Sequence, residues 1–216
     1  RPAASGKGPA LMILVSGATK TVRRLLGHPN LGVLLTPHDG NVAPPAGVVW
    51  AADNGAFRGF DDALFRSFLK RIEGRSDCRF VCAPDVVADH EATIARWSEW
   101  QARIRAHGLA PAFVAQDGCL VADVPWHDLK RGRSAVFIGG STRYKLSEEA
   151  ALIVGEARRR GVWRHMGRVN TARRILYAAA IGIDSIDGSA FSRFSETHLA
   201  WALRTVRQRP LGLELR

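Results

Sequence analysis

The sequence predicts an α/β chain, a small (β/α)8 barrel of TIM type with an incomplete outer ring of helices. Three observations predict it. Eight short apolar runs alternate mostly with segments of helical periodicity. Most of these runs end in a polar or glycine-rich turn, as strands of a parallel sheet do where they reach the chemistry-bearing rim. A length of 216 residues fits one barrel near the lower limit of barrel sizes. An open, doubly wound sheet is the architectural alternative. No GxGxxG follows a strand and no Walker-type loop occurs, so nothing points to a dinucleotide or nucleoside triphosphate site.

In chain order, residues 11–15 read as a strand closed by Ser16-Gly17, and 19–26 as a short helix stopped by Gly27. A second strand over 32–35 ends in Thr36-Pro37. Residues 38–45, with Asp39-Gly40 and Pro44-Pro45, are loop, so no helix is expected before the third strand at 48–52. That strand ends in Asp53-Asn54-Gly55. Leu64, Phe65, Phe68, Leu69 and Ile72 stand at helical spacing and mark a helix over 61–73. The fourth strand, 80–83, ends in Pro84-Asp85. Asp89 caps a long helix over 90–107 with Ile94, Trp97 and Ile104 on one side. The fifth strand, 112–115, ends in Gln116-Asp117-Gly118, and 124–130 is expected to form a turn of helix. The sixth, 135–138, ends in Gly139-Gly140-Ser141. Ser147 opens a helix to Arg160. The seventh strand, 162–166, ends at Gly167, and Asn170 or Thr171 caps a helix through Ile181. Ser185-Ile186 is the eighth, ending at Asp187, and 195–206 is a final amphipathic helix.

Composition narrows the function classes. Apolar content of 46% supports a sizeable core, and no apolar run approaches bilayer length. The Gly/Pro-rich residues 1–10 read as a flexible stretch ahead of a single domain over 11–216. The apolar run after them is too short for a signal peptide and reads as a strand. Three cysteines without paired spacing argue for a reducing compartment, here the cytoplasm, and against a disulfide framework. No His/Cys cluster has metal spacing. The net charge of +11 is mostly arginine and leans toward the second half, which points to a polyanionic partner.

A barrel gathers its strand ends at one rim. Here that rim holds Asp53, Asp85, Gln116, Gly139-Gly140, Met166-Gly167 and Asp187. Singly, Asp187 before glycine is an ordinary turn aspartate and Asp85 after proline an ordinary cap. Together, three carboxylates in one mouth cannot all ionise cheaply, so their pKa values should split into acid and base roles. Gln116 both donates and accepts, as the edge of a nucleobase demands. The glycines let a flat ligand reach backbone N–H groups, and Phe57 and Met166 offer two faces for a planar ring. His38 and His165 stand alone and receive no role.

These motifs resemble those of the tRNA-guanine transglycosylases. Asp53-Asn54-Gly55-Ala56-Phe57 is similar to their Asp-Ser-Gly-Gly-(Phe/Tyr), and Phe113-Val114-Ala115-Gln116-Asp117-Gly118 to their Val-Gln-Gly-Gly strand end. Phe137-Ile138-Gly139-Gly140 resembles Ile-Gly-Gly-Leu, and Arg164-His165-Met166-Gly167 with Thr171 resembles Leu-Met-Gly-Val-Gly-Thr-Pro. Ile183-Asp184-Ser185-Ile186-Asp187 resembles the nucleophile motif Gly-Val-Asp-Met-Phe-Asp. Five such motifs occur in the family's order, each at an expected strand end.

The resemblance implies base exchange through a covalent aspartyl-glycosyl intermediate. Asp187 would be the nucleophile and Asp53 a polar anchor or proton shuttle. Asp85, Gln116, Gly139 and Gly140 would read the guanine edge, and Phe57 and Met166 would sandwich the ring. Arg193 would meet phosphate; Arg168, just past a rim strand, is expected from its own position to do the same. A 7-deazaguanine would be the co-substrate, with no other cofactor. The family's Cys-x-Cys-x2-Cys zinc site and its subdomain are absent, Ala56 replaces a glycine, and Arg58 a glutamine. A short, zinc-free, arginine-rich chain is more similar to the phage and bacterial branch that inserts 7-deazaguanines of the 7-cyano type into DNA. The expected partners are therefore DNA, with RNA as the alternative polymer, and the small base. Membrane is not expected, and a second copy or a helper protein is left open. A guanine-releasing glycosylase and a non-catalytic basic barrel are the remaining alternatives.

Overall fold

The structure is a computed structural model that describes residues 11–17, 19–40 and 44–207. The stretch 1–10, expected to precede the domain, lies outside the described residues, as do 208–216. Eight strands close into a barrel in chain order, every neighbouring pair parallel. They are β1 (Met12–Val15), β2 (Leu31–Leu35), β3 (Trp50–Ala52), β4 (Cys78–Cys82), β5 (Pro111–Ala115), β6 (Ala135–Ile138), β7 (Trp163–Met166) and β8 (Ser185–Asp187). Closure comes from Ile13 facing Ile186 across β1 and β8.

The period-two pleat divides the apolar side chains into two layers. Leu14, Leu34, Ala51, Phe80, Cys82, Ala112, Val114 and Ala135 fill the barrel interior. Alanines recur there because a barrel this size leaves little room. The outward set, including Ile13, Trp50, Val81, Phe113, Val136 and Ile186, packs under the helices. These are α1 (Lys20–Leu25), α2 (Asp62–Arg71), α3 (His90–Ala106), α4 (Thr142–Lys145), α5 (Glu148–Arg160), α6 (Ala172–Ile181), α7 (Ser189–Arg193) and α8 (Ala200–Arg207). Thr19, Asp61, Asp89, Ser147 and Thr171 each cap a helix by accepting a backbone N–H. Among the described residues no helix joins β2 to β3, as expected.

Two expectations need correction. Residues 124–130 hold no helix; a 3₁₀ turn at Val121–Asp123 stands ahead of them. Pro125 forces the extended backbone seen at Val124. The terminal helix starts at Ser195 as expected, but its first turn, Ser195–Leu199, is π-helical before α8; Phe194, at φ −123° and ψ 47°, separates it from α7. Helix α4 was not foreseen at all.

A cavity of about 380 Å³ opens at the N-terminal face and is lined by Arg79, Arg105, Lys130 and Arg133. Arg105 lies in the last turn of α3, where the helix dipole favours positive charge, and Arg79 stacks on Trp163. In barrels this face stabilises the fold. Among the described residues no helix is long and apolar enough to cross a membrane.

Candidate active site

The C-terminal mouth holds Asp53, Asp85, Gln116, Gly139, Gly140, Phe57, Arg168 and Asp187 around one cavity of about 80 Å³. Asn54, 3% exposed, ties the first part of the mouth together. Its backbone N–H donates to Asp53 Oδ1 (2.7 Å), and its Nδ2 donates to Ala83 O and Asp85 Oδ1 (both 2.7 Å). Its own Oδ1 accepts from Ala56 N–H at 2.8 Å, completing the turn after β3. Gly55 is at φ +78°, and a Cβ there would meet the His38 ring at 2.8 Å, so the turn requires glycine.

Asp85 and Gln116 form a fixed pair. Gln116 Nε2 donates to Asp85 Oδ2 at 2.5 Å, and Gln116 Oε1 accepts from Ala88 N–H at 3.0 Å. Arg96 donates to the Asp85 carbonyl at 2.7 Å. Burial raises the Asp85 pKa, against the lowering effect of the Asn54 and Gln116 donors. Each group keeps unused capacity toward the mouth: a second N–H on Gln116 and further lone pairs on Asp85. Gly139 packs with its Cα side against Gln116 Nε2, and Gly140 sits at φ +72° against Asp117. A side chain at Gly139 would crowd the Gln116 amide, and one at Gly140 would collide with Asp117.

Holding Ala88 on Gln116 puts a non-glycine residue at φ +63°. This left-handed conformation costs an L-residue roughly 1–2 kcal/mol. Ala88→Gly removes that cost, partly offset by greater freedom of the unfolded chain. The expected result is a gain of about 1 kcal/mol, read as a rise of about 2–4 °C in Tm by calorimetry.

The second part of the mouth is built on β7 and β8. Asp187 Oδ1 accepts from Arg168 N–H at 3.1 Å, and Oδ2 lies 2.9 Å from His165 Nε2. His165 is fully buried, its ring 4.6 Å from Phe137 and 5.2 Å from Phe80 between centroids. Its Nδ1 is 2.8 Å from Ser185 Oγ, which accepts from Trp163 Nε1–H at 2.9 Å. With a neutral imidazole, one proton assignment satisfies all three contacts. Trp163 donates to Ser185, Ser185 donates to Nδ1, and Nε2–H donates to the Asp187 carboxylate. The chain of donors thus ends on Asp187 and fixes its orientation.

Asp53 shares this space. Burial, then the charge of Asp187, then that of Asp85, push its pKa up to about 7, against donors from Asn54 and Gly55. An acid with that pKa is present in both forms near neutrality, the condition for moving a proton in either direction. Phe57 is 63% exposed at the rim, and the Arg168 guanidinium lies 3.8 Å from its ring centroid. Arg168 is itself at φ +61°. Among the described residues no group of three His, Cys, Asp or Glu side chains is placed to hold a metal ion.

Two expected site residues are not in the mouth. The pleat of β7 turns Trp163 and His165 inward and Met166 outward, beside Ile138 and Ile186. Met166 is 1% exposed in the layer beneath the helices and is not a wall of the cavity. Arg193 is exposed on α7 and does not line the cavity. Three residues that do belong to the site drew no role from the sequence: Asn54, His165 and Lys145. The signal for His165 was its parity, two residues past Trp163 on a strand whose alternate positions face inward. Asp184, quoted in the nucleophile motif, is committed to a buried bidentate pair with Arg164.

No protein-family profile matches the chain, and no curated protein matches it. Among solved structures, 254 chains match. A chain of tryptophan synthase from M. tuberculosis is 13% identical with a TM-score of 0.55, the match covering 92% of this chain and 90% of that one. A chain of the tryptophan synthase a2b2 complex from Pyrococcus furiosus is 12% identical with a TM-score of 0.53, covering 93% of this chain and 97% of that one. At such identity the likeness is one of fold alone.

Proposed function

We propose that this barrel is a guanine transglycosylase that exchanges guanine in DNA for a 7-deazaguanine through a covalent aspartyl-glycosyl ester. The observation that carries the reading is the oriented Asp187 carboxylate facing Asp53, with the Asp85–Gln116 pair in the same mouth. A nucleophile, a group titrating near neutrality and a donor–acceptor edge are what base exchange at C1′ needs.

The step balances as follows. An Asp187 oxygen attacks C1′, the C1′–N9 bond breaks, and its electron pair leaves with guanine, which takes a proton from Asp53. The entering base then gives its N9 proton to Asp53. Its N9 attacks C1′ and expels Asp187 as carboxylate. Two inversions restore the β configuration, as in retaining glycosidases. Asp85 accepts from the N1 and N2 donors of the base, while Gln116 and the Gly139-Gly140 backbone serve O6. Phe57 offers a stacking face once Arg168 moves off it. The cavity of about 80 Å³ is well below the roughly 300–1,000 Å³ of ligand pockets, so base entry requires that movement.

DNA is the polymer we assign, on the strength of the +11 charge, most of it arginine. Reaching a base in duplex DNA means flipping it from the stack, at a few kcal/mol, which phosphate contacts by arginine offset. Labelled guanine incubated with the protein and either DNA or tRNA tests this. Label is expected in DNA. Label in tRNA alone transfers the chemistry to RNA, and guanine loss without replacement makes the protein a glycosylase.

His165 acts through Asp187 and is a positioning residue. His165→Leu is expected to slow adduct formation about 100-fold, because a displacement near 1 Å costs that much, with KM unchanged. His165→Gln, which keeps a donor, is expected to recover part of the loss. Equal rates in the two variants would remove the orienting role.

A further inference from the structure

Lys145, the last residue of α4, is 5% exposed and lines the mouth. Among the described residues its ammonium has no hydrogen-bond or ion-pair partner. Burial, then the Arg168 guanidinium, pull its pKa below the usual lysine value, and Asp187 works against them at longer range. Asp117, the other acid near it, is already engaged by the Ser141 N–H (2.7 Å) and hydroxyl (2.5 Å). Most of the side chain is enclosed, yet its ammonium is not among the fully buried polar atoms that lack a partner, so it reaches the open space of the mouth. The local chain holds it in place: Ser141 caps α4, and the Lys145 N–H returns to Ser141 O at 3.1 Å. Its position makes sense if a ligand atom completes it.

The order of groups around the rim says which atom. The barrel runs in chain order, so a circuit of the mouth meets Asp85, Gln116, Gly139-Gly140, then Lys145, then Arg168 and Asp187. The perimeter of a guanine-like base runs N2 and N1, O6, position 7, then N9 and C1′. With Asp85 on the N1–N2 edge and Asp187 at C1′, position 7 falls to Lys145.

We propose that Lys145 selects the entering base by its 7-substituent, taking a hydrogen-bond acceptor or anion, such as a carboxylate or nitrile, and rejecting an ammonium. This rests on the transglycosylase reading and sharpens it. The departing guanine presents its N7 lone pair at the same point, so one ammonium serves both halves of the exchange. Arg168 adds a second positive charge against a cationic substituent.

The test is calorimetric titration of the full chain with four free bases: 7-deazaguanine and its 7-carboxy, 7-cyano and 7-aminomethyl derivatives. Each affinity is read as a ratio to the unsubstituted base. A charge-assisted hydrogen bond amounts to about 10- to 100-fold in affinity. The wild type is expected to bind the carboxy base at least about 10-fold tighter than the aminomethyl base. Lys145→Glu is expected to invert that order, and Lys145→Met to bring the two within about 3-fold. An aminomethyl base bound as tightly as the carboxy base by the wild type, or an unchanged order in Lys145→Glu, overturns the proposal. So does a Lys145→Met variant that keeps the order but loses the preference for a deoxynucleoside 5′-phosphate over its nucleoside, since the ammonium would then serve phosphate. Equal binding of all four bases removes the Lys145 assignment alone. Binding of none removes the base-exchange reading with it.

Discussion

Asp187→Asn is expected to abolish the denaturation-resistant protein–DNA adduct and to lower base exchange by about 1,000-fold or more. The carboxamide cannot form the glycosyl ester. It also misfits its two donors, since His165 Nε2 and Arg168 N–H both point at oxygen in the wild type. One of them must face the asparagine NH2 unless the imidazole changes tautomer. Neither effect touches the arginine-rich surface, so salt-sensitive DNA binding should persist, with the logarithm of affinity falling linearly against the logarithm of salt concentration. Gel analysis after denaturation reads the adduct, and filter binding across a salt series reads the affinity. An adduct that survives in Asp187→Asn would take the nucleophile role from this residue.

Asp53→Asn is expected to cost about 100- to 10,000-fold in exchange rate, the usual scale for a proton-transfer group. The pH dependence separates this from a folding defect. Guanine departure needs Asp53 protonated, and its pKa stands at about 7, raised by burial and by the charges of Asp187 and Asp85. The rate of adduct formation should therefore fall as pH rises through 7, and the residual rate of Asp53→Asn should lack that limb. Stability follows the same sign. The unfolded chain releases this proton near 3.8 and the folded one near 7, so the folded state is favoured while the acid is protonated. That stabilisation is complete below about pH 4 and is lost as pH climbs through 7, by an amount on the order of a few kcal/mol. Urea denaturation at pH 5 and pH 8 should show the wild type losing stability relative to Asp53→Asn. Parallel curves at both pH values would mean that Asp53 ionises normally.

The barrel was legible because each strand is a short apolar run stopped by a residue type that cannot continue it. Asp53, Asp85, Gln116, Gly139-Gly140 and Asp187 follow such stops directly, and closure of the ring brings them together. What escaped the sequence depends on facing and register. In a four-residue strand such as β7, apolar content does not say which alternate set points inward, and Met166 and His165 exchanged their expected places for that reason. Lys145 was hidden because α4 is four residues long, too short to show a helical period. Asn54 lies inside a motif whose neighbours drew the roles, yet its hydrogen bonds join β3 to β4. The π-helical turn at Ser195–Leu199 depends on a backbone register that the amphipathic pattern of 195–206 does not encode.

The account depends on three carboxyl groups and one carboxamide converging on a single planar base. Crystals of the protein soaked with 7-cyano-7-deazaguanine test that convergence directly. The base is expected in the mouth, its N1–N2 edge on Asp85, its O6 toward Gln116 and Gly139-Gly140, and its ring against Phe57. A base bound on any other surface, or seated in the mouth with no contact to Asp85 or Gln116, would contradict it.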